Sequence, residues 1–93
     1  MNDSSIKSIS QVEQYAKNIQ GVSEQMEQLF EKLGKQTESI GCEWNDSQYQ
    51  QFREDFRQDI MVKVKEISAR MLTFSDYTKR MCEFHRQIQQ LKR

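Results

Sequence analysis

Ninety-three residues with 14 Lys/Arg, 14 Asp/Glu, 35% hydrophobic and 30% charged positions make one small, polar domain. A mean hydropathy of −0.93 leaves too little apolar matter for a large globular core, because a chain of this size buries only about 60–65% of its unfolded surface. Zero formal charge argues against a whole-surface nucleic-acid binder, and no apolar run is long enough for stable membrane insertion.

The opening MNDSSIKSIS has neither a basic n-region nor an apolar h-region. The expectation is a chain that is cytoplasmic on synthesis and that, if exported, leaves without a cleaved signal peptide. Disorder is a poor reading, since Pro is absent, Gly occurs three times and the apolar residues are regularly spaced. The lack of Pro favours uninterrupted helix, in whose interior each Pro costs about 3 kcal/mol.

From Ser8 the pattern predicts a first helix over about 8–40. Val12, Ile19, Met26, Leu33 and Ile40 fall on heptad a positions. Tyr15, Val22 and Leu29 fall on d positions, with Gln36 in the last d slot, and Ala16 and Phe30 flank the stripe. Gly21 and Gly34 mark local weakness or close helix approach. Gly41, just past the stripe, reads as a helix stop through left-handed dihedrals that cost it no Cβ clash.

Residues 41–46 are expected to form the turn, with Asn45, Asp46 and Ser47 as capping candidates and Gln50 in capping-box register with Ser47. The second helix, about 47–91, carries an apolar stripe through Tyr49, Phe52, Phe56, Ile60, Val64 and Ile67. It continues through Met71, Phe74, Tyr77, Met81, Phe84, Ile88 and Leu91. Steps of four come first and alternating steps of three and four later, so this seam should drift around the helix.

Two helices joined by so short a connection fold back as an antiparallel hairpin, one domain over 1–93. At 1.5 Å per residue they are roughly 50 and 65 Å long, leaving an unpaired arm from about Phe84 to Arg93 unless the residues before Ser8 cover it. One neighbour cannot cover stripes widened by Ala16, Phe30, Met61, Val62, Leu72 and Phe84. Chains this small need a disulfide, a metal or association. Cys42 and Cys82 should stand roughly 50–60 Å apart along the rod, too far for a bridge, and suit a reducing origin. His85 is alone, and no cofactor or metal is implied. Association remains, and the predicted fold class is all-α, a two-helix hairpin pairing into a four-helix bundle dimer.

Charge suggests how copies meet. Residues 1–60 hold six Lys/Arg against eleven Asp/Glu, and residues 61–93 hold eight against three. Glu43, Asp46, Glu54, Asp55 and Asp59 should gather at the turn end. Lys79, Arg80, Arg86, Lys92 and Arg93 should gather at the open end. Part of this simply complements the helix dipoles; the remainder would orient hairpins head to tail, with little added affinity.

The one Trp stands in the turn, and by itself reads as a plug over the bundle end with its indole N–H on a loop carbonyl. Trp44-Asn45-Asp46, in a turn between two long helices, resembles the WxG family of small helical hairpins associated with type VII secretion systems. The resemblance spans nearly the whole chain, and Phe52 and Phe56 stand where that family commonly places core aromatics. It differs in having Asp46 for the motif Gly, a residue that tolerates turn dihedrals and caps helices. The family's Tyr-x-x-x-Asp/Glu export signal also has no match, since Tyr15, Tyr49 and Tyr77 are followed at that spacing by Ile19, Arg53 and Met81.

The resemblance implies a homodimer, or a heterodimer with a paralogous hairpin, together with a secretion ATPase or toxin cargo as partner. The expected function is that of a non-enzymatic substrate, chaperone or adaptor. Trp44, Asn45 and Asp46 would shape the turn, and Phe52 and Phe56 would anchor the hairpin. The partner-binding set is Val12, Ile19, Met26, Phe30, Phe52, Phe56, Ile67, Met71, Phe74 and Met81. Catalysis lacks a convergent cleft of tuned groups. A coiled-coil scaffold subunit is the runner-up. A small nucleic-acid-binding regulator comes third, its basic last third interrupted by Asp76 and Glu83.

Overall fold

The computed structural model describes residues 6–91, which form helices and no strand. Helix α1 (Ile9–Ser39) begins where Ser8 leaves helical dihedrals and its Oγ accepts a hydrogen bond from the Gln11 amide at 3.4 Å. It closes through a tight 3-10 turn at Ile40–Cys42, where the amides of Glu43 and Trp44 both donate to the Ile40 carbonyl at 2.9 Å. No glycine among the described residues has a positive φ, so the left-handed stop expected at Gly41 does not occur. Gly41 is required for space instead: a Cβ there would lie 2.7 Å from the Tyr49 hydroxyl.

The chain restarts at Asp46, whose extended backbone and carboxylate cap α2 (Ser47–Asp55). A wide π turn over Phe56–Ile60 follows, closed by the Met61 amide donating to the Phe56 carbonyl, and leads into α3 (Met61–Leu91). All junction residues keep right-handed helical dihedrals, so these segments run on as one rod. The π turn falls where the apolar residues step by four. It takes up an extra residue there, which offsets the drift that such spacing would impose on an ideal helix. Local winding absorbs the mismatch.

α1 and α3 lie antiparallel, as contacts along their whole length show. Cys82 meets the Ile9 carbonyl, Ser75 the Ala16 carbonyl, and Ser68 meets Ser23. The molecule measures 69 × 23 × 14 Å with a radius of gyration of 20.1 Å, against about 12 Å for a compact chain of this length. Glu13 pairs with Arg86, so α1 covers α3 as far as that residue and the unpaired arm is shorter than expected. Lys92, Arg93 and the residues before Ile6 lie outside the described residues.

The seam departs from the sequence reading. Of the residues packed between the helices, the fully buried ones are small or hydroxylic: Ala16, Ser23, Ser75 and Cys82 are fully buried and Ser68 almost so, while of the predicted stripe Tyr49, Phe56 and Val64 are also buried. Heptad-stripe residues Tyr15, Val22 and Leu29 are 55, 54 and 66% exposed instead of filling the seam. Short side chains let the two backbones approach closely enough for hydroxyls to reach opposite carbonyls. Ser75 Oγ donates to Ala16 O at 2.7 Å, and Ser23 and Ser68 share a hydrogen bond of 2.5 Å while Ser68 also donates to Glu27 at 2.6 Å. Gly34 serves the same closeness, since a Cβ on it would come within 3.1 Å of the Phe56 ring.

Candidate interaction surface

The turn is built around one carboxylate. Asp46 Oδ1 accepts the Tyr49 amide and Oδ2 the Trp44 indole N–H, both at 2.8 Å. These two bonds hold the Asp46 carboxyl below its ordinary pKa, the backbone amide contributing most. The Trp44 donor therefore reaches a carboxylate two residues on, and not the loop carbonyl expected of a plug. The indole is 52% exposed and leans on the Tyr49 ring, with centroids 5.8 Å apart. Tyr49 closes the end of the hairpin: it is 5% exposed and its hydroxyl donates to the Thr37 carbonyl. Asn45 is exposed and accepts a hydrogen bond from Gln50.

Phe52 and Phe56, expected to act alike, do not. Phe56 is 4% exposed between Gly34, Phe30 and Phe52, whereas Phe52 is 47% exposed and lies against the outside of Phe56. Only Phe56 anchors the hairpin. Their four-residue spacing carried no sign of this difference, because it depends on where the π turn begins.

The remaining stripe residues collect on one broad side of the hairpin. Tyr15 of α1 touches Phe74 of α3 edge to face at 6.5 Å, which shows that these positions share a side. Helical periodicity places Val12, Ile19, Val22, Met26 and Leu29 beside Tyr15, and Ile67, Met71 and Met81 beside Phe74. Val12, Ile19, Met26, Phe30, Met71 and Met81 are half-buried; Ile67 and Phe74 are about half exposed, at 49 and 48%. The face is chiefly apolar, with Arg70 set beside Phe74 and Tyr77, and exposed apolar surface gathered on one side marks an interaction site.

The opposite side is polar and holds its own pairs across the seam. Glu13 grips Arg86 with both oxygens at 2.6 and 2.8 Å, Lys79 donates to Gln20, and Glu38 pairs with Arg53. The bound guanidinium keeps the Glu13 and Glu38 carboxyls below the usual range, in each case chiefly through the hydrogen bond itself. Arg86 and Lys79, which the charge count assigned to a free basic end, are thus partly engaged within the hairpin.

No family model, curated protein or solved structure matches this sequence.

Both thiols are free, Cys42 exposed at the turn and Cys82 buried. Burial raises the Cys82 pKa, with the Glu13 charge adding to the effect. Among the described residues no three His, Cys, Asp or Glu side chains gather as metal ligands, and no helix is long and apolar enough to cross a membrane. His85 is half-buried beside Phe84, its ring Nε2 buried without a hydrogen-bond partner.

Proposed function

We propose that this chain is a non-enzymatic interaction protein which pairs, through its apolar face, with a second hairpin to form a four-helix bundle. The observation that carries the reading is the division of labour between the two surfaces of each helix. The seam inside the hairpin is already closed by small and hydroxylic residues together with Phe56 and Val64, while Tyr15, Val22, Leu29, Ile67 and Phe74 remain about half exposed or more. A second amphipathic hairpin laid on that face would cover both stripes at once. The polar opposite side would then face water.

The biological setting we propose is a specialised bacterial secretion apparatus, which the hairpin serves as substrate, chaperone or adaptor, with a paralogous hairpin, a secretion ATPase or a toxin cargo as partner. The turn supports this reading: Trp44 stands half exposed between the two helices, tied to Asp46 in the place of the motif glycine. A scaffold subunit that polymerises needs a second face of comparable apolar extent, and the opposite side carries the pairs Glu13–Arg86 and Glu38–Arg53. A nucleic-acid regulator needs a continuous track of cations, and at the basic end Arg86 is paired with Glu13 while Lys79 is bonded to Gln20 across the seam.

Sedimentation equilibrium at micromolar concentration tests the pairing, and a folded monomer overturns it. Recovery of the chain from its own host, with identification of what accompanies it, tests the setting. Secretion components or a sibling hairpin support that setting, and structural subunits alone overturn it.

A further inference from the structure

The charged side has an apolar interruption. Beside the π turn lies an open cavity of about 480 Å³ with Phe30, Gly34, Phe56 and Met61 in its walls. Lys35, Arg53, Arg57 and Lys65 also line it, against two acids, Glu31 and Glu38. Glu38 is taken by Arg53, and Arg57 is held by Glu54. Lys35 and Lys65 enter no ion pair among the described residues. Glu31 is likewise unpaired there, so the mouth carries two uncommitted cations against one uncommitted carboxylate, a net positive charge, over an aromatic and thioether floor.

Two features of the backbone make this hollow. Gly34 has no side chain, so the Phe56 ring settles close against α1 as the floor, 3.1 Å from where a Cβ would stand. The π turn starts at Phe56 and exits at Met61, so its first residue and the one that follows it both line the cavity. Such turns sacrifice regular helical hydrogen bonding and concentrate at functional sites.

We infer that this cavity is a docking site for an acidic peptide segment of a partner protein, one that inserts a single large apolar side chain between flanking carboxylates. The chemistry of the walls selects the occupant: the floor matches an aromatic or aliphatic anchor, and Lys35 and Lys65 match negative charge on either side of it. The open mouth suits a side chain presented from a protein surface, whereas sites for small molecules bury most of their ligand. Apart from Phe30, its exposed lining also lies away from the pairing face. Glu31 and Lys35 are on the far side of α1 from Leu29 and Met26 by helical phase, so a paired hairpin keeps the cavity open to a further protein. The inference stands whether or not the hairpin pairs.

The methionines provide a readout that separates the two surfaces, since Met61 lines the cavity while Met26, Met71 and Met81 belong to the apolar face. The full chain, labelled with carbon-13 on its methionine methyls, is titrated with a short fluorescein-tagged peptide in which one Trp is flanked by Glu on both sides. The expected result is a saturable shift of the Met61 methyl with the other methyls unmoved, and binding about tenfold weaker for the double variant Lys35→Glu, Lys65→Glu. These lysines are surface groups in no pair, so the variant should keep its helical circular dichroism and its sedimentation mass. A peptide with Lys in place of Glu should bind weakly. Absence of a Met61 shift at millimolar peptide overturns the proposal, as do shifts confined to Met26, Met71 and Met81, or unchanged affinity in the double variant. Decanoate moving Met61 where the peptide does not also overturns it, in favour of a small anionic amphiphile. Failure of pairing registers separately, as a monomer mass.

Discussion

Leu29→Ala separates a face that is used from one that merely exists. Leu29 is 66% exposed on the hairpin, so in an isolated hairpin its truncation removes few contacts and should cost no more than about 0.5 kcal/mol, as for an ordinary surface change. Burying a Leu side chain fully is favourable by about 1.5–3 kcal/mol. Two-thirds of that is about 1–2 kcal/mol per copy, hence about 2–4 kcal/mol for two copies, or roughly 30- to 700-fold in the dissociation constant. Sedimentation equilibrium across a concentration series reads that constant directly, and thermal melts should show the loss growing as the protein is diluted. Lys17→Ala, an exposed change on the opposite side of α1, is the matched control and should leave the constant unchanged. A wild-type protein that dimerises while Leu29→Ala dimerises equally well would remove this face from the interface. Equal small effects at every concentration would mean a monomer.

Other expectations concern the hairpin itself. Phe56→Ala should cost about 3–5 kcal/mol as a full core truncation, while Phe52→Ala, half exposed, should cost about half as much or less; comparable urea midpoints for the two would contradict the assignment of a single anchor. A Cβ on Gly21 would meet nothing within 4 Å, so Gly21→Ala should stabilise by about 0.5–1 kcal/mol through helix propensity. Gly41→Ala must displace the Tyr49 hydroxyl and should destabilise by about 1–3 kcal/mol; thermal melts giving both changes the same sign would refute the steric account. The carboxyls of Glu13, Glu38 and Asp46 are all depressed below their ordinary values of 4.5, 4.5 and 3.8. A depressed folded pKa contributes stability that is present above the unfolded value and lost as pH falls through the folded one. The melting temperature should therefore drop as pH is lowered below about 4.5, with a smaller drop in Asp46→Asn; a flat profile there would show that these carboxylates contribute nothing.

Much of the architecture was legible in the residues themselves. The absence of Pro, the three-four spacing of Val12 to Leu33 and of Val64 to Phe84, and the Asn45-Asp46-Ser47 cluster are local signals. Helix propensity, amphipathic periodicity and capping act within a few residues of one another, so they give two long helices with a break between them. Ser8 and Asp46 show the same thing at finer grain, each accepting an amide three residues on as side chains of their kind do.

Which side of each helix meets its neighbour is a different kind of question. Hydrophobic spacing named the bulky stripe as the seam, and Tyr49, Phe56 and Val64 of that stripe are buried, yet along most of its length the structure closes on Ala16, Ser23, Ser68 and Ser75, residues whose significance lies in how little they obstruct. Close approach depends on both helices at once, and no single segment records it. The same holds for Phe56 against Phe52, for the π turn that separates their roles, and for Gly41, whose missing Cβ matters because Tyr49 arrives from another helix. Periodicity selects a helix and its oily side; only packing one rod against the other decides which side is inside and which is left to face a partner.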